Sequence, residues 1–231
     1  MTLNALDRSH APGMDQLALS PVPLVPEMRL FLAEDAIVLW ARLEAAAGVS
    51  LPAPYWASAW VGGQAVARYV LDHPESVAGR SVLDLASGSG IVAIAAAMAG
   101  ATDVTATEID PNAIVAIRAN AQANGVAVTP LEEDVLDGDG HGAQVVLAGD
   151  VLYDESVAER VRPFLIRAAD RGALVLLGDP DRGHLPSVAL DLMASYTVQG
   201  AGTPEDAQLR RTNVFTLRRG QSEPMLRSAA R

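Results

Sequence analysis

Residues 81–101, SVLDLASGSGIVAIAAAMAGA, constrain this chain more than any other stretch. A short apolar run at 81–85 stops at a glycine turn at 86–90 and continues into an alanine-rich segment at 91–100. That order predicts a buried strand, a tight turn and a helix. Gly88 and Gly90 have no Cβ, so the backbone can bend sharply there and a ligand can lie against it. The helix start behind them presents free N–H groups. Such a corner suits the polar end of a nucleotide-like ligand.

Two ligand classes compete for the corner. The run from Gly88 to Ala93 matches the G-x-G-x-x-G/A dinucleotide fingerprint, so the glycines alone leave a nicotinamide dinucleotide open. Asp84, four residues before Gly88 and at the expected strand end, separates the two. Its carboxylate repels a pyrophosphate and attracts a ligand with an ammonium group and a sulfonium. The spacing D-x-x-x-G-x-G therefore favours S-adenosylmethionine, although an Asp in this place also caps turns.

The remaining strands are expected at 103–107, 126–131, 143–149 and 173–178, separated by helices at 111–124 and 156–170. A helix at 62–72 precedes the first strand. Alternating strands and helices predict an α/β fold with a doubly wound parallel sheet. An acid follows each of the first four strands: Asp84, Glu108, Asp134 and Asp150. Ligands bind beyond the carboxyl ends of strands in such a sheet, so the four carboxylates are expected on one rim. Glu108 stands 20 residues past the glycine turn, the place of a ribose-hydroxyl partner, with Ile109 beside it as an apolar plate for adenine. Asp134 is placed either to accept from the adenine amino group or to sit in a solvated acidic loop. Asp110 and Pro111 read as a helix cap and first turn.

Upstream, residues 1–26 read as an irregular arm, and 29–47 as a helix whose apolar stripe packs on the core. Trp56 and Trp60, four apart, are either core anchors or walls of the cofactor pocket, where an indole face suits a cation. Towards the end, a helix is expected at 186–195, short strands at 196–199 and 211–218, and a loose tail at 220–231. The 231-residue chain thus reads as one main domain, residues 27–219.

The formal net charge of −11 argues against a broad nucleic-acid-binding face. Without cysteine there is no disulfide or thiolate metal site, and four scattered histidines show no ligand spacing. No apolar run spans a bilayer and no signal-peptide pattern opens the chain, so the expected compartment is cytoplasmic. The expectation is no metal, no nucleic acid and no membrane partner.

Several segments extend the pattern: PYWASAWVGGQAVARYVLDHPE (54–75), GRSVLDLASGSG (79–90), ATEIDPNA (106–113), LAGDVLYDE (147–155) and LLGDPDR (176–182). Over residues 26–217 the chain resembles class I, seven-β-strand S-adenosylmethionine-dependent methyltransferases. More narrowly, it is similar to the lysine methyltransferases of the electron transfer flavoprotein β subunit and their bacterial relatives. The resemblance implies a Rossmann-like, mostly parallel seven-stranded sheet with helices on both faces and an N-terminal helical extension. It implies that Trp60, Gly62, Gly63 and Gln64 help enclose S-adenosylmethionine. Asp84, Ala86, Ser87, Gly88 and Gly90 would hold its methionine part, Glu108 and Ile109 its nucleoside, and Asp134 with Val135 its adenine. Asp150 and Tyr153 would face the methyl group and incoming amine as the catalytic pair, with Trp56 and Asp179 on the substrate side. The products would be S-adenosylhomocysteine and a methylated protein lysine. Small-molecule N-methylation, with a nicotinamide-like acceptor, is the alternative. A ribosomal-protein methyltransferase and an NAD-dependent dehydrogenase rank lower.

The acceptor amine must be neutral to attack. A free lysine at pH 7 lies more than three units below its pKa, a cost of about 4–5 kcal/mol. A nearby carboxylate alone favours the charged form. Asp150 is therefore expected to orient the amine rather than to act as a strong base.

Overall fold

The computed structural model describes residues 13–199, 209–218 and 220. Its centre is a seven-stranded sheet. In chain order its strands are β3 (Ser81–Leu85), β4 (Asp103–Glu108), β5 (Thr129–Glu132), β6 (Val145–Gly149), β7 (Leu174–Asp179), β8 (Leu190–Gln199) and β9 (Leu209–Leu217). They lie side by side as β5-β4-β3-β6-β7-β9-β8, the first five parallel and β9 antiparallel to both neighbours. The order reverses between β3 and β6, which is where an open α/β sheet leaves a crevice.

Two-residue alternation in the central strands builds two cores. Val82, Val145, Leu147 and Leu176 face α2 (Val61–Asp72) and α3 (Ile91–Met98), with Ile117 and Ala121 of α4 (Pro111–Ala123). Leu83, Leu85, Val146, Ala148, Val175 and Leu177 face α5 (Glu155–Asp170), whose Phe164 and Leu165 are fully buried. The near-continuous apolar runs of these strands reflect burial on both faces.

The amino-terminal region differs from the expectation. The described part of the 1–26 arm is not irregular. Residues 18–21 form β1 (Ala18–Pro21), paired antiparallel with β2 (Arg29–Leu32). The helix expected over 29–47 is two elements, β2 and α1 (Ala36–Ala47). Asp35 divides them, because its side chain accepts from the Ile37 and Val38 N–H groups and starts the helix there. Met14, Phe31, Leu39 and Leu43 then pack with Trp56 and with Ala113, Ala116 and Ala119 of α4. The extension is thus a hairpin followed by a helix. Residues 1–12 and 221–231 of the expected arm and tail lie outside the described residues.

A second correction falls at 186–195, expected as a helix: 186–189 are irregular and 190–195 form the first part of β8. Its backbone pairs with β9 from Leu190 to Gln199. The Ala, Leu and Met content suits a helix, yet β9 needs a partner at the sheet edge, and tertiary pairing overrides local propensity.

Asn120 ties the extension to the glycine turn. It is fully buried, its Oδ1 accepts from the Phe31 N–H (2.7 Å), and its Nδ2 donates to the Ser89 carbonyl (2.7 Å). Asn120→Ala removes both buried hydrogen bonds, so a loss of about 2–3 kcal/mol is expected. Thermal unfolding should show it as a fall in Tm of roughly 5–10 °C.

Candidate active site

A cavity of about 790 Å³ opens at the carboxyl ends of β3, β4 and β6, beside the point where the strand order reverses. Asp84, Glu108, Asp134 and Asp150 all line it, so the register brings together the four acids that sequence placed on one rim. A second cavity, of about 490 Å³, lies at the amino ends of the strands beside Arg80, Gln144 and Arg171, remote from these acids.

The glycine turn is built as its spacing requires. Gly88 and Gly90 have φ of 55° and 85°. A Cβ on Gly88 would meet nothing closer than the Tyr55 carbonyl at 3.9 Å, so its cavity side is open backbone. Ala86 also has a left-handed φ, 49°, which costs an L-residue roughly 1–2 kcal/mol. Gly90 caps α3 against Ile117 and does not line the cavity.

Asp84 is 1 % exposed. Its Oδ2 accepts from the Ser87 hydroxyl (2.5 Å) and the Ala93 N–H (3.0 Å), so it caps α3 and also borders the cavity. Burial drives its pKa up to about 7, the two hydrogen bonds oppose this, and the charge of Glu108 adds to it. Glu108 is itself raised by burial, while its Oε1 accepts from the Gly88 N–H (2.9 Å) and its Oε2 from the Ile109 N–H (2.9 Å). Ile109 is 71 % exposed at the cavity edge, an apolar surface without a protein partner over it. Val135 is buried in the wall, and Asp134 is bound by the Leu136 N–H and by Arg160 at 2.9 Å.

The segment around Gly62 has a different job from the one its resemblance implies. Of Gly62, Gly63 and Gln64, Gly63 alone borders the cavity. Gly62 and Gly63 let α2 rest directly on the sheet: a Cβ on Gly62 would lie 2.5 Å from the Gly178 carbonyl, and one on Gly149 would lie 2.6 Å from Gly63 Cα. Gln64 is fully buried and staples three segments, donating to the Ala59 and Gln199 carbonyls and accepting from the Leu24 N–H. Its amide is consumed by packing because α2 starts with its own face against the hairpin and β8.

Asp150 follows β6 with φ of 63°. Its Oδ2 accepts from the Gly62 N–H (3.0 Å) and its Oδ1 from Arg182 Nε (2.5 Å). Asp179, expected on the substrate side, is fully buried and outside the cavity wall. Its Oδ1 accepts from the Arg182 N–H, its Oδ2 is unpartnered, and burial raises its pKa. The resemblance implied a substrate-side residue, but the side chain is turned inward, onto the Arg182 N–H.

Aromatic rings form the other wall. Trp56 is 2 % exposed and is both core and lining, which resolves the two readings of its position into one. Trp60 donates from Nε1 to the Tyr55 carbonyl (2.9 Å). The Tyr55 ring meets Trp60 edge-on at 5.7 Å and Tyr153 at 5.3 Å. Tyr55, Arg160 and Arg182 are lining residues that sequence reasoning did not single out. For Tyr55 the signal was present, since it sits one residue before Trp56 in the PYW run.

The donor set fits S-adenosylmethionine: acids for a cationic ligand, open glycine backbone, and a bare apolar plate beside Glu108. The strand order and this rim define a class I S-adenosylmethionine-dependent methyltransferase. The electron transfer flavoprotein beta subunit lysine methyltransferase of Rattus norvegicus is 39 % identical over 199 residues, covering 84 % of this chain and 75 % of the relative. The chain belongs to this family of lysine methyltransferases. The Danio rerio protein of the same description is 40 % identical over 163 residues, covering 70 % of this chain and 62 % of the relative. The model of the ribosomal protein L11 methyltransferase (PrmA) family matches residues 69–153. Among solved structures, an RNA methyltransferase from Salinibacter ruber in complex with S-adenosyl-L-homocysteine is 25 % identical with a TM-score of 0.50. It covers 69 % of this chain and 95 % of that one. The protein is an S-adenosylmethionine-dependent enzyme. Among the described residues no helix is long and apolar enough to cross a membrane.

Proposed function

We propose that this enzyme methylates a lysine ε-amine of a protein substrate, the β subunit of an electron transfer flavoprotein, in the cytoplasm. The observation that supports a protein acceptor is the open aromatic mouth: Tyr55 and Tyr153 are 46 % and 43 % exposed while lining the cavity. The described residues 13–26 turn away into the hairpin and do not line the cavity. A side chain can therefore reach in from outside.

In this reading Asp84, Ser87 and Gly88 hold the methionine part of the cofactor, Glu108 and Ile109 the nucleoside, and Asp134 with Val135 the adenine. When bound, S-adenosylmethionine supplies an electrophilic methyl group on a sulfonium. The acceptor would arrive as an ammonium, lose its proton to water and present a neutral lone pair at the mouth formed by Tyr55 and Tyr153. The protein's part is alignment at near-attack distance and exclusion of water by Trp56 and Tyr153.

Labelled cofactor incubated with a purified flavoprotein β subunit should yield label on a lysine, located by mass spectrometry. Label confined to small amines such as nicotinamide would overturn the reading. Asp150→Ala should lower turnover about 100-fold through misplacement, with cofactor affinity changed only a few-fold by calorimetry. Equal loss of both would make Asp150 a cofactor ligand instead.

A further inference from the structure

We propose that Arg182, rather than Asp150, is the charged group that the acceptor amine meets, and that Asp150 and Asp179 hold it in place. The inference rests on the lysine reading above. The Asp150 side chain is 3 % exposed and the Arg182 side chain 24 %. Both Asp150 oxygens are bonded within the protein, one to the Gly62 N–H and one to Arg182 Nε. The base of the arginine is fixed from behind, because Asp179 Oδ1 accepts its backbone N–H at 2.9 Å. Two acids at neighbouring strand ends thus anchor one arginine, Asp150 its guanidinium and Asp179 its backbone, and Arg182 lines the same cavity as Tyr55 and Tyr153.

A guanidinium keeps its charge at any working pH. Its like charge disfavours the ammonium form of an amine brought beside it. This answers the difficulty that a lone Asp150 would raise. The ionisable groups on the elements around this cavity are Tyr55 before α2, Tyr153 and Asp154 after β6, Glu108 ending β4 with Asp110 just beyond it, Glu133 after β5, and Asp84 one residue before the end of β3. Asp134 precedes α5, Glu155 and Arg160 lie on α5, and Asp181 and His184 flank Arg182 on its own loop. The start of α2 presents only Gly62 and Gly63. Acids outnumber bases in this set, so without Arg182 the local field holds the amine protonated. Arg182 accordingly keeps the acceptor neutral by direct charge, together with the aromatic wall that dries it, while Asp150 and Asp179 are the positioning residues.

The test is the pH profile of kcat/KM on a flavoprotein β subunit. For the wild type the rising limb should lie below the pKa of free lysine. Arg182→Gln should move that limb up by about one unit and cost about tenfold at pH 7. Arg182→Lys should keep the limb within a few tenths of a unit of wild type. An acceptor carrying S-aminoethylcysteine in place of the lysine, a less basic amine, should recover most of the Arg182→Gln loss. An unmoved limb with a lower rate, or equal damage from Gln and Lys, would overturn the proposal. If Arg182→Gln does not fold, the wild-type limb decides, since one at the pH of free lysine also overturns it. No transfer to the β subunit by the wild type would sink the lysine reading and this inference with it. Transfer with an unshifted limb sinks the role of Arg182 alone.

Discussion

Gly178→Ala will destabilise the protein by about 3 kcal/mol, the upper end of what overpacking does, and will cost more turnover than cofactor affinity. The new Cβ would sit 2.2 Å from the Gly62 carbonyl and 2.7 Å from Val66 Cγ2. The first of these is backbone, so no rotamer change relieves it. The amino end of α2 must lift from β7. That lift pulls the Gly62 N–H off Asp150 Oδ2, which it meets at 3.0 Å, and loosens the side of the site where Asp150 and Arg182 are paired. The glycine turn and Glu108, on the other side, are untouched. Thermal unfolding should show a Tm loss of roughly 6–12 °C for a chain of this size. Gly138→Ala serves as the control. Its Cβ would meet nothing closer than the Val135 carbonyl at 3.4 Å, and its φ is not left-handed, so a change within about 0.5 kcal/mol is expected. A Gly178→Ala protein that melts within two or three degrees of the wild type would show that α2 is not seated on the strand ends as described.

Local signatures decide what sequence could and could not disclose. The unit from Ser81 to Met98 was legible because a buried strand, a Gly-x-Gly turn and an alanine helix each leave a local signature. The acids Asp84, Glu108, Asp134 and Asp150 were legible as a set because each follows a strand of one parallel sheet, and the fold turns that into a shared rim. What each acid touches was not legible. Asp179 ends β7 as Glu108 ends β4, yet it is fully buried, with Oδ1 turned inward to the Arg182 N–H. Gln64 sits next to a true lining residue, Gly63, but the helical turn between them sends it into the core. Arg182 depends on a pairing across 32 residues of sequence that no local pattern records. The two misread elements fail for related reasons. At 29–47 the apolar spacing suits a helix throughout, and only the cap at Asp35 marks where strand β2 ends and α1 begins. At 186–195 the residues favour helix, and the decision is made by β9, on the far side of residues 200–208.

Binding of S-adenosylmethionine should weaken about tenfold for each pH unit below 7 and release close to one proton, with Asp84 as the group responsible. Asp84 is the one acid on the rim whose pKa is placed at about 7, raised from 3.8 chiefly by burial. Its native pKa lies above its unfolded value, so between about pH 4 and 7 the folded protein binds more protons than the unfolded chain. Stability from this group is therefore highest below that window and falls as pH rises through it, by a total on the order of 4 kcal/mol above pH 7. A cationic ligand reverses the preference. The ammonium of the cofactor's methionine part favours ionised Asp84, so below pH 7 binding must first expel the proton, and above it the carboxylate is ready. Calorimetry in two buffers of different ionisation heat measures the proton directly, and titrations from pH 5.5 to 8.5 measure the slope. Asp84→Asn keeps an acceptor for the Ala93 N–H and the Ser87 hydroxyl, so it should fold. Above pH 7 it should be more stable than the wild type in the absence of cofactor, while its affinity falls roughly 100-fold and loses the slope, as expected when a charge-assisted hydrogen bond is removed. S-adenosylhomocysteine retains the ammonium but not the sulfonium, so an equal slope for both ligands assigns the linkage to the methionine end. A wild-type Kd that is flat across this range would place Asp84 outside the cofactor's charge recognition and leave it only its place at the start of α3.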